Sequence, residues 1–163
     1  MNVRPAVIIE NHQKLAEVIA AERAGGKTVV LANGGFDLLH VGHVRYLNAA
    51  AMEGDILVVA LNGDESIRRT RGEDRPIVPI GERMELVAAL RCVDYVTWFD
   101  SPTADGLLEL LRPDVHAKGT DWHLGTLPER HTLERLGIRF AIVGDPKDHS
   151  TTAIWKRIRA KGT

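Results

Sequence analysis

The sequence predicts an α/β fold, because short apolar segments rich in β-branched residues alternate with segments whose apolar residues have helical spacing. Strands that are apolar along their whole length are typical of a parallel sheet covered by helices on both faces. The chain has 163 residues, the size of one ordinary domain, and no repeat or linker-like tract divides it. We therefore expect a single domain with a Rossmann-like, doubly wound architecture and a five-stranded parallel sheet.

The first half of the chain begins with a helix and then alternates strands, helices and loops. Asn11 can cap the first helix, and Gly25 and Gly26 end it. A β-branched run over 27–32 predicts a buried strand, and a glycine-rich loop over 33–36 follows it. The next elements are expected to be a helix, a second buried strand and a charged loop, over 41–52, 55–62 and 68–79.

The second half of the chain continues the alternation. Met84, Val87 and Ala88 share one face of its first helix, a spacing that suits packing on a sheet. The helices are expected over 80–90, 103–111, 128–136 and 150–161, and the strands over 95–99, 115–118 and 138–143. Ligands of open parallel sheets bind beyond the carboxyl ends of the strands. This rule selects four candidate segments: 33–43, 62–75, 118–123 and 144–152.

Composition and charge restrict the classes of partner. Lys plus Arg number 21 and Asp plus Glu 22, so a net charge of −1 argues against binding nucleic acid or a membrane through bulk charge. Basic residues nevertheless concentrate in 68–83, with an excess of +2, and in 147–161, with an excess of +4. The lone Cys92 excludes an intrachain disulfide. With neither a signal peptide nor an apolar run of membrane length in the sequence, we expect a cytoplasmic protein.

The strongest functional signal is the string Asn-Gly-Gly-Phe-Asp-Leu-Leu-His-Val-Gly-His at 33–43. Gly34 and Gly35 follow a strand directly, so the backbone can approach a phosphate group closely. His40 and His43 are three residues apart at the start of a helix, which puts both imidazoles on one face of its first turn. A helix N-terminus adds partial positive charge. The string therefore predicts a site for a polyphosphate whose charge shifts during a reaction.

Two other interpretations of these histidines stay open at the level of sequence. They can be incidental residues of a helix cap, or they can belong to a zinc site, since His pairs at short spacing bind zinc. A zinc site needs a third ligand from elsewhere, for which Asp37 and His123 are the candidates. A zinc-dependent hydrolase is thus one alternative function.

Two further candidate segments contribute a cation, a carboxylate and hydroxyl groups. Lys118 follows a strand and suits a triphosphate as a point charge, although a solvated surface lysine is the alternative. Asp121 can accept hydrogen bonds from ribose or sugar hydroxyls, or it can simply be a turn residue. A second anion site, or a simple helix cap, is expected at Ser150, Thr151 and Thr152.

The charged loop adds candidates for a second phosphate group. Arg71 and Arg75 can clamp an incoming phosphate by bidentate contacts, or they can be ordinary solvated charges. Arg83 and Arg91 lie on or after the helix that follows and are weaker candidates. Trp122 is expected to be a packing residue unless it is exposed at the cleft, where it would contact a base or a sugar.

The string at 33–43 also resembles the G-x-F-D-x-x-H-x-G-H signature of the cytidylyltransferase-like nucleotidyltransferases. The similarity continues at 91–96, Arg-Cys-Val-Asp-Tyr-Val, which resembles the R-Y-V-D-E-V segment of the cytidylyltransferases. Ser-Thr-Thr at 150–152 resembles the I-S-T-T that opens their last helix. The similar region runs from about residue 27 to residue 158, which is most of the chain.

Three segments favour one branch, the bacterial heptose 1-phosphate adenylyltransferases. Residues 71–77 resemble the K-G-x-x-R-P-[IV] of that branch, and residues 118–122 resemble its K-G-G-D-Y. Residues 145–149 lack the arginine that is typical of cytidylyltransferases for glycerol phosphate and amine-alcohol phosphates. The chain departs from the heptose branch where cysteine, lysine and glycine are usual, at Gly35, Arg71 and Thr120.

The resemblance implies an enzyme that moves AMP from ATP to a sugar 1-phosphate, most directly a heptose 1-phosphate, in ADP-heptose synthesis. It implies catalytic roles for His40, His43 and Lys118, and contacts to the substrate phosphate for Arg71 and Arg75. Nucleotide binding is implied for Gly34, Gly35, Phe36, Asp121, Ser150, Thr151 and Thr152. Mg²⁺ is expected on the nucleotide phosphates rather than on protein side chains.

The resemblance also frames the alternatives and the organisation of the chain. A cytidylyltransferase acting on glycerol 3-phosphate or an amine-alcohol phosphate is the nearest alternative, and a nucleotide-binding regulator without turnover is another. We expect a catalytic core over 27–163, preceded by an N-terminal helix extension over 1–26. Members of the family often form dimers, so a homodimer is a further expectation.

Overall fold

Six parallel strands form one sheet in the computed structural model, which describes residues 5–146 and 148–161. The strands are β1 (Val7–Ile8), β2 (Val29–Gly34), β3 (Ile56–Asn62), β4 (Tyr95–Phe99), β5 (Val115–Gly119) and β6 (Arg139–Val143). Their order across the sheet is β1-β4-β3-β2-β5-β6, and each neighbouring pair is parallel. The predicted parallel α/β architecture is confirmed, but the predicted count of five strands is wrong.

The additional strand is β1, at one edge of the sheet. Val7 pairs with Tyr95 and Ile8 pairs with Val96. Two residues are too few to show an alternating or continuously apolar pattern, and the edge position leaves 54% of Val7 exposed. The strand lies within 1–26, where the sequence predicts only a helix. The division of the chain into this extension and a core over 27–163 stays a prediction.

Helices cover both faces of the sheet: α1 (His12–Ala24), α2 (Val41–Ala51), α3 (Asp64–Arg71), α4 (Ile80–Ala88), α5 (Asp105–Leu111), α6 (Arg130–Leu136) and α7 (Thr151–Lys161). Successive residues of β2 point to opposite faces. Val29 and Leu31 join a buried cluster with α1, α5 and α6, whereas Val30 and Ala32 join one with α2 and α4. Burial on both faces explains why this strand is apolar throughout.

Helix α3 begins before the charged loop that the sequence predicts over 68–79 and occupies the first four residues of that segment. Its first turn carries Asp64 and Glu65 and its last turn carries arginines, an order that complements the helix dipole. Asp100 accepts a hydrogen bond from Ser66 N–H, so the cap comes from a residue distant in the chain. A Cβ at Gly63 would overlap that carboxylate, which explains the glycine. Because most residues of α3 are charged or polar, no apolar pattern in the sequence indicates this helix.

The connections of the sheet create a crevice between β2 and β5. From β2 the chain proceeds through β3 to β4 on one side, and β5 and β6 then fill the other side. Helices that follow the two neighbouring strands therefore lie on opposite faces, which leaves the carboxyl ends of β2 and β5 open between them. Leu31 and His116 are paired across these strands. The crevice positions the candidate site.

Candidate active site

A cavity of about 450 Å³ lies at the carboxyl ends of β2 and β5. It is lined by residues of the β2–α2 loop, the loop after β5 and the start of α7. The structure therefore brings together segments that are more than a hundred residues apart in the chain. The predicted site residues that line this cavity are Gly34, Gly35, Phe36, His40, His43, Arg71, Lys118, Asp121, Ser150, Thr151 and Thr152. Arg75 lines an adjoining cavity of about 290 Å³ instead.

The two histidines form the N-terminal cap of α2. His40 Nδ1 accepts a hydrogen bond from Gly42 N–H at 3.2 Å, and His43 Nδ1 accepts one from His40 N–H at 3.4 Å. The imidazole rings stack with their centroids 3.8 Å apart. Because Nδ1 is an acceptor in each ring, each neutral imidazole carries its proton on Nε2. The helix cap is present, and its two imidazoles line the cavity.

The β2–α2 loop has an unusual backbone. Phe36 and Leu38 have φ values of 50° and 49°, in the left-handed region that residues with side chains rarely adopt. The Phe36 ring is buried, meets His43 edge to face at 5.3 Å and stacks on Tyr46 at 6.3 Å. A Cβ at Gly34 would come within 3.2 Å of the Phe36 ring. The loop thus depends on a small residue before Phe36 and on the packing of that ring.

Lys118 is a cation with little access to water. Only 6% of the residue is exposed, and its Nζ lies 4.6 Å from the centre of the Trp122 ring. Burial lowers the pKa of Lys118, while the charges of Glu129 and Asp121 act in the opposite direction. Trp122 packs against the core, and its ring also lines the cavity beside the Lys118 ammonium. A desolvated ammonium interacts with phosphate far more strongly than a solvated one does.

His116 supports the site from behind and was not predicted. It is fully buried on β5, with Nε2 2.9 Å from Asn33 Oδ1. Burial, with a smaller contribution from the charge of Lys118, lowers the pKa of His116 to about 3, so the ring is neutral and donates to Asn33. Asn33 lines both cavities. A histidine between Val115 and Ala117 in a predicted buried strand was the signal that could have identified this residue.

Asp37 connects three segments and is not an open metal ligand. It is buried, and it pairs with Arg75 through Nε at 2.9 Å and Nη2 at 2.8 Å. Its side chain also accepts hydrogen bonds from Ile77 and Val78 N–H groups. The Thr151 hydroxyl donates to the Asp37 carbonyl at 2.6 Å. The Arg75 guanidinium and the Thr151 hydroxyl, predicted to contact substrate, therefore have partners within the protein.

Arg83 is a structural brace rather than a ligand contact. It is fully buried on α4, and its guanidinium donates to the carbonyl oxygens of Gly35, Asn62 and Val78. Nη2 also contacts Asp64 Oδ1 at 2.6 Å. This one side chain joins the β2–α2 loop, the end of β3 and the start of α3. Its position beside Met84 on the buried face of the helix was the available signal.

The start of α7 closes the cavity on the side of β6. The Ser150 hydroxyl accepts a hydrogen bond from Ala153 N–H at 3.1 Å, as a helix cap does. Thr120 donates to the Asp145 carbonyl at 2.8 Å, and Arg45 pairs with the Asp145 carboxylate at 2.9 Å. The loop after β5 is thereby tied to the segment before α7. The heptose 1-phosphate adenylyltransferases usually have glycine at the position of Thr120. Here the threonine hydroxyl holds the loop after β5 to the segment before α7.

The remaining candidates can be placed briefly. Arg71 is exposed at the end of α3 and lines both cavities, whereas Arg91 is exposed and lines neither. In the part of the chain that the structure describes, no group of three or more His, Cys, Asp and Glu side chains is arranged to hold a metal ion. None of the described helices is both long enough and apolar enough to cross a membrane.

A family model, cytidylyltransferase-like, matches residues 31–159 of the chain. Among curated proteins, the chain is 49% identical over 150 residues to the bifunctional protein HldE of Geobacter sulfurreducens and 42% identical over 153 residues to HldE of Alcanivorax borkumensis. These matches cover 92% and 94% of the chain but only 31% and 32% of the relatives. The chain therefore spans about a third of the length of the curated relatives it matches.

Two solved structures resemble the fold. A lipopolysaccharide core biosynthesis protein from Thermoplasma volcanium is 25% identical, with a TM-score of 0.63 over 75% of this chain and all of that chain. A pantoate-beta-alanine ligase from Francisella tularensis, complexed with an ATP compound and beta-alanine, is 13% identical, with a TM-score of 0.64 over 90% of this chain and 69% of the ligase. The second likeness concerns the fold alone.

Proposed function

Because the chain belongs to the cytidylyltransferase-like family, we propose that it transfers AMP from ATP to a sugar 1-phosphate, most directly a heptose 1-phosphate, and releases pyrophosphate. The observation that carries the proposal is the convergence of His40, His43 and Lys118 with the start of α7 on one cavity. The names of the relatives, HldE, and of the solved lipopolysaccharide core biosynthesis protein support a role in ADP-heptose synthesis for lipopolysaccharide-type precursors.

The reaction needs one bond to form and one to break. An oxygen of the sugar phosphate attacks the α-phosphorus of ATP, and the bond from that phosphorus to the bridging oxygen of pyrophosphate breaks. Charge moves onto the departing pyrophosphate, so donors placed there before the reaction accelerate it. A covalent enzyme intermediate is unnecessary, because positioning and charge stabilisation are enough for this class of transfer.

His40 and His43 provide the donors at the transferred group. Their Nδ1 atoms accept hydrogen bonds from backbone N–H groups, so in the neutral rings Nε2–H is the donor that we assign to the α-phosphate and the leaving group. The N-terminus of α2 adds partial positive charge at the same place. Gly34 and Gly35 let the phosphates lie against the backbone, close to the buried Phe36 ring.

Lys118 and the start of α7 hold the β- and γ-phosphates in this proposal. Lys118 acts as a poorly hydrated point charge, and the backbone N–H groups of residues 150–152 supply a second helix N-terminus. Asp121 is exposed on the cavity wall, where it can accept a ribose hydroxyl. Mg²⁺ accompanies ATP, bound chiefly by phosphate oxygens and water.

The acceptor phosphate is assigned to the arginines at the border of the two cavities. Arg71 lines both cavities and is the principal candidate. Arg75 already uses Nε and Nη2 for Asp37, so it contributes through the rest of its guanidinium and by holding the loop. A homodimer and a cytoplasmic location remain part of the proposal.

The choice of nucleotide and acceptor is tested by turnover. Purified protein with Mg²⁺ is offered ATP or CTP together with heptose 1-phosphate, other sugar 1-phosphates, glycerol 3-phosphate and an amine-alcohol phosphate, and pyrophosphate release is measured. We expect release with ATP and a sugar 1-phosphate. Turnover with CTP and a polyol phosphate, without turnover on ATP, would identify a cytidylyltransferase. The similarity to HldE proteins and the missing arginine in 145–149 favour ATP.

A further inference from the structure

Glu129 has a buried carboxylate oxygen to which no described residue donates. The residue directly precedes α6 and is only 3% exposed. Its Oε1 accepts the Ala104 N–H at 3.0 Å, which fixes the side chain. Its Oε2 is buried, and within residues 5–146 and 148–161 it has no hydrogen-bond partner. A buried polar atom without a partner is costly, so it calls for an explanation.

The oxygen belongs to a residue that lines the second cavity, of about 290 Å³. Glu129 lines this cavity only, whereas Lys118, Arg71 and Trp122 line both cavities and mark where the two join. Asn62 and Ser66, whose side chains hydrogen-bond to each other, also line the second cavity. Cations therefore lie where the second cavity joins the proposed nucleotide site. Elsewhere its wall carries hydrogen-bond acceptors that are uncharged or acidic.

We propose that this second cavity is the acceptor subsite and that Glu129 Oε2 accepts a hydrogen bond from a hydroxyl group of the sugar. The inference rests on the proposed function, which it deepens by naming a residue that selects the acceptor. The phosphate of a sugar 1-phosphate would lie at the shared cations, with the sugar ring in the second cavity. Glu129 is then a specificity-determining residue for a polyhydroxylated acceptor.

The charges around the cavity favour a hydroxyl over an ammonium group as the partner of Glu129. Lys118, Arg71 and Arg75 line the same cavity as Glu129 and Asp37, and Asp37 pairs with Arg75, so a cationic acceptor would still meet a wall with an excess of positive charge. The charge of Glu129 also acts on Lys118, raising its pKa against the effect of burial. A neutral hydroxyl donor satisfies Oε2 without changing this balance of charge.

A site built to bind a hydroxyl strongly rejects an analogue that lacks it, because the buried acceptor is then left without a partner. A hydrogen bond to a charged group corresponds to about a ten- to hundredfold effect on kcat/KM. We therefore expect the wild-type protein to discriminate by that factor against the deoxy analogue that lacks the hydroxyl bound by Glu129. The discrimination should be absent for deoxy analogues changed at positions that Glu129 does not contact.

Glu129→Gln isolates the effect. The glutamine Oε1 can still accept a hydrogen bond from the Ala104 N–H, which places an N–H₂ donor where the carboxylate now has Oε2. We expect KM for the sugar 1-phosphate to rise about tenfold or more and by a larger factor than KM for ATP, which the loss of the Glu129 charge also affects through Lys118. The melting temperature should stay unchanged. The preference for the parent sugar over one deoxy analogue should collapse. Glu134→Gln, at an exposed residue of α6 paired with Arg130, is the matched control and should leave every constant unchanged.

The outcomes separate this inference from the proposed function. If the wild-type protein turns over no sugar 1-phosphate with ATP, the proposed function fails. If it does turn over, but Glu129→Gln keeps the wild-type KM and the wild-type discrimination among deoxy analogues, the role of Glu129 is overturned. The role of Glu129 would also be overturned if KM for ATP and KM for the sugar 1-phosphate rose by the same factor. The same holds if only turnover of an amine-alcohol phosphate decreased.

Discussion

At the scale of single residues, the histidines of the 33–43 string combine two tasks. Their Nδ1 atoms complete the cap of α2, and their Nε2–H groups are the donors that we propose for an anion. The interpretation as a helix cap and the interpretation as a phosphate site are therefore compatible, although they compete at the level of sequence. Substitutions that preserve the cap can separate the two tasks.

His40→Asn removes the imidazole and keeps a good cap, because asparagine is among the preferred N-cap residues. We expect kcat/KM for ATP to fall about a hundredfold or more, since a donor to developing charge is lost. The unfolding free energy should stay within about 1 kcal/mol of wild type. His131→Asn, at an exposed position of α6, is the control. A loss of rate of less than about tenfold would remove His40 from the proposed chemistry.

Lys118 should impose an alkaline limit on activity. Burial lowers its pKa, so the ammonium that we propose to bind phosphate is lost as the pH rises through a value below 10.5. We therefore expect kcat/KM for ATP to decrease as the pH rises, with the midpoint of the decrease below pH 10.5. In Lys118→Arg the guanidinium stays charged, so the fall should move to higher pH. An identical alkaline limb in both proteins would show that another group controls it.

At the scale of elements, Arg83 holds the β2–α2 loop, β3 and α3 to one another. Arg83→Met keeps much of the apolar volume but leaves the carbonyls of Gly35, Asn62 and Val78 without this donor. We expect the unfolding free energy to fall by about 2–4 kcal/mol, measured by urea denaturation. Arg91→Met, at an exposed position, should change it by less than about 0.5 kcal/mol. Equal effects of the two substitutions would contradict the role assigned to Arg83.

The elements also show what sequence patterns can and cannot predict. The buried strands and most helices have local signals, so their positions follow from apolar runs and caps. β1 and α3 do not, because β1 has only two residues and α3 has an exposed face full of charge. Pairings such as Asp37 with Arg75 join residues 38 positions apart, and nothing local in the sequence encodes them. For that reason Arg75 was predicted as a substrate contact and not as a partner of Asp37.

At the scale of the whole molecule, the sheet brings the 33–43 string, Lys118 and residues 150–152 to one cavity. This assembly was predictable, because the ends of parallel strands meet at one edge of a sheet. The roles of His116, Arg83 and Glu129 were not predictable, because these residues acquire their environments only when distant segments pack together, even though His116 and Arg83 have local signals of burial. Sequence patterns therefore identify the residues that line the cavity better than the buried residues that hold them in place.

His116 links this support to the stability of the fold in acid. The folded protein keeps the ring neutral down to about pH 3, whereas an unfolded chain binds the proton near pH 6.5. Between these values the unfolded state holds more protons, so stability falls as the pH is lowered, by about 1.4 kcal/mol per pH unit from this residue. His116→Gln should have a shallower dependence of unfolding free energy on pH between about 6 and 3. Equal slopes in wild type and variant would contradict the assignment.

The central claim is tested most directly by identifying the products formed from ATP and heptose 1-phosphate. Purified protein is incubated with both substrates and Mg²⁺, and pyrophosphate and the nucleotide sugar are measured together by mass spectrometry. We expect the two products in equal amounts, and both formed about a hundredfold more slowly when His40 is replaced by asparagine. Pyrophosphate without a nucleotide sugar would indicate a hydrolase, and the absence of both products with the folded protein would contradict nucleotidyl transfer.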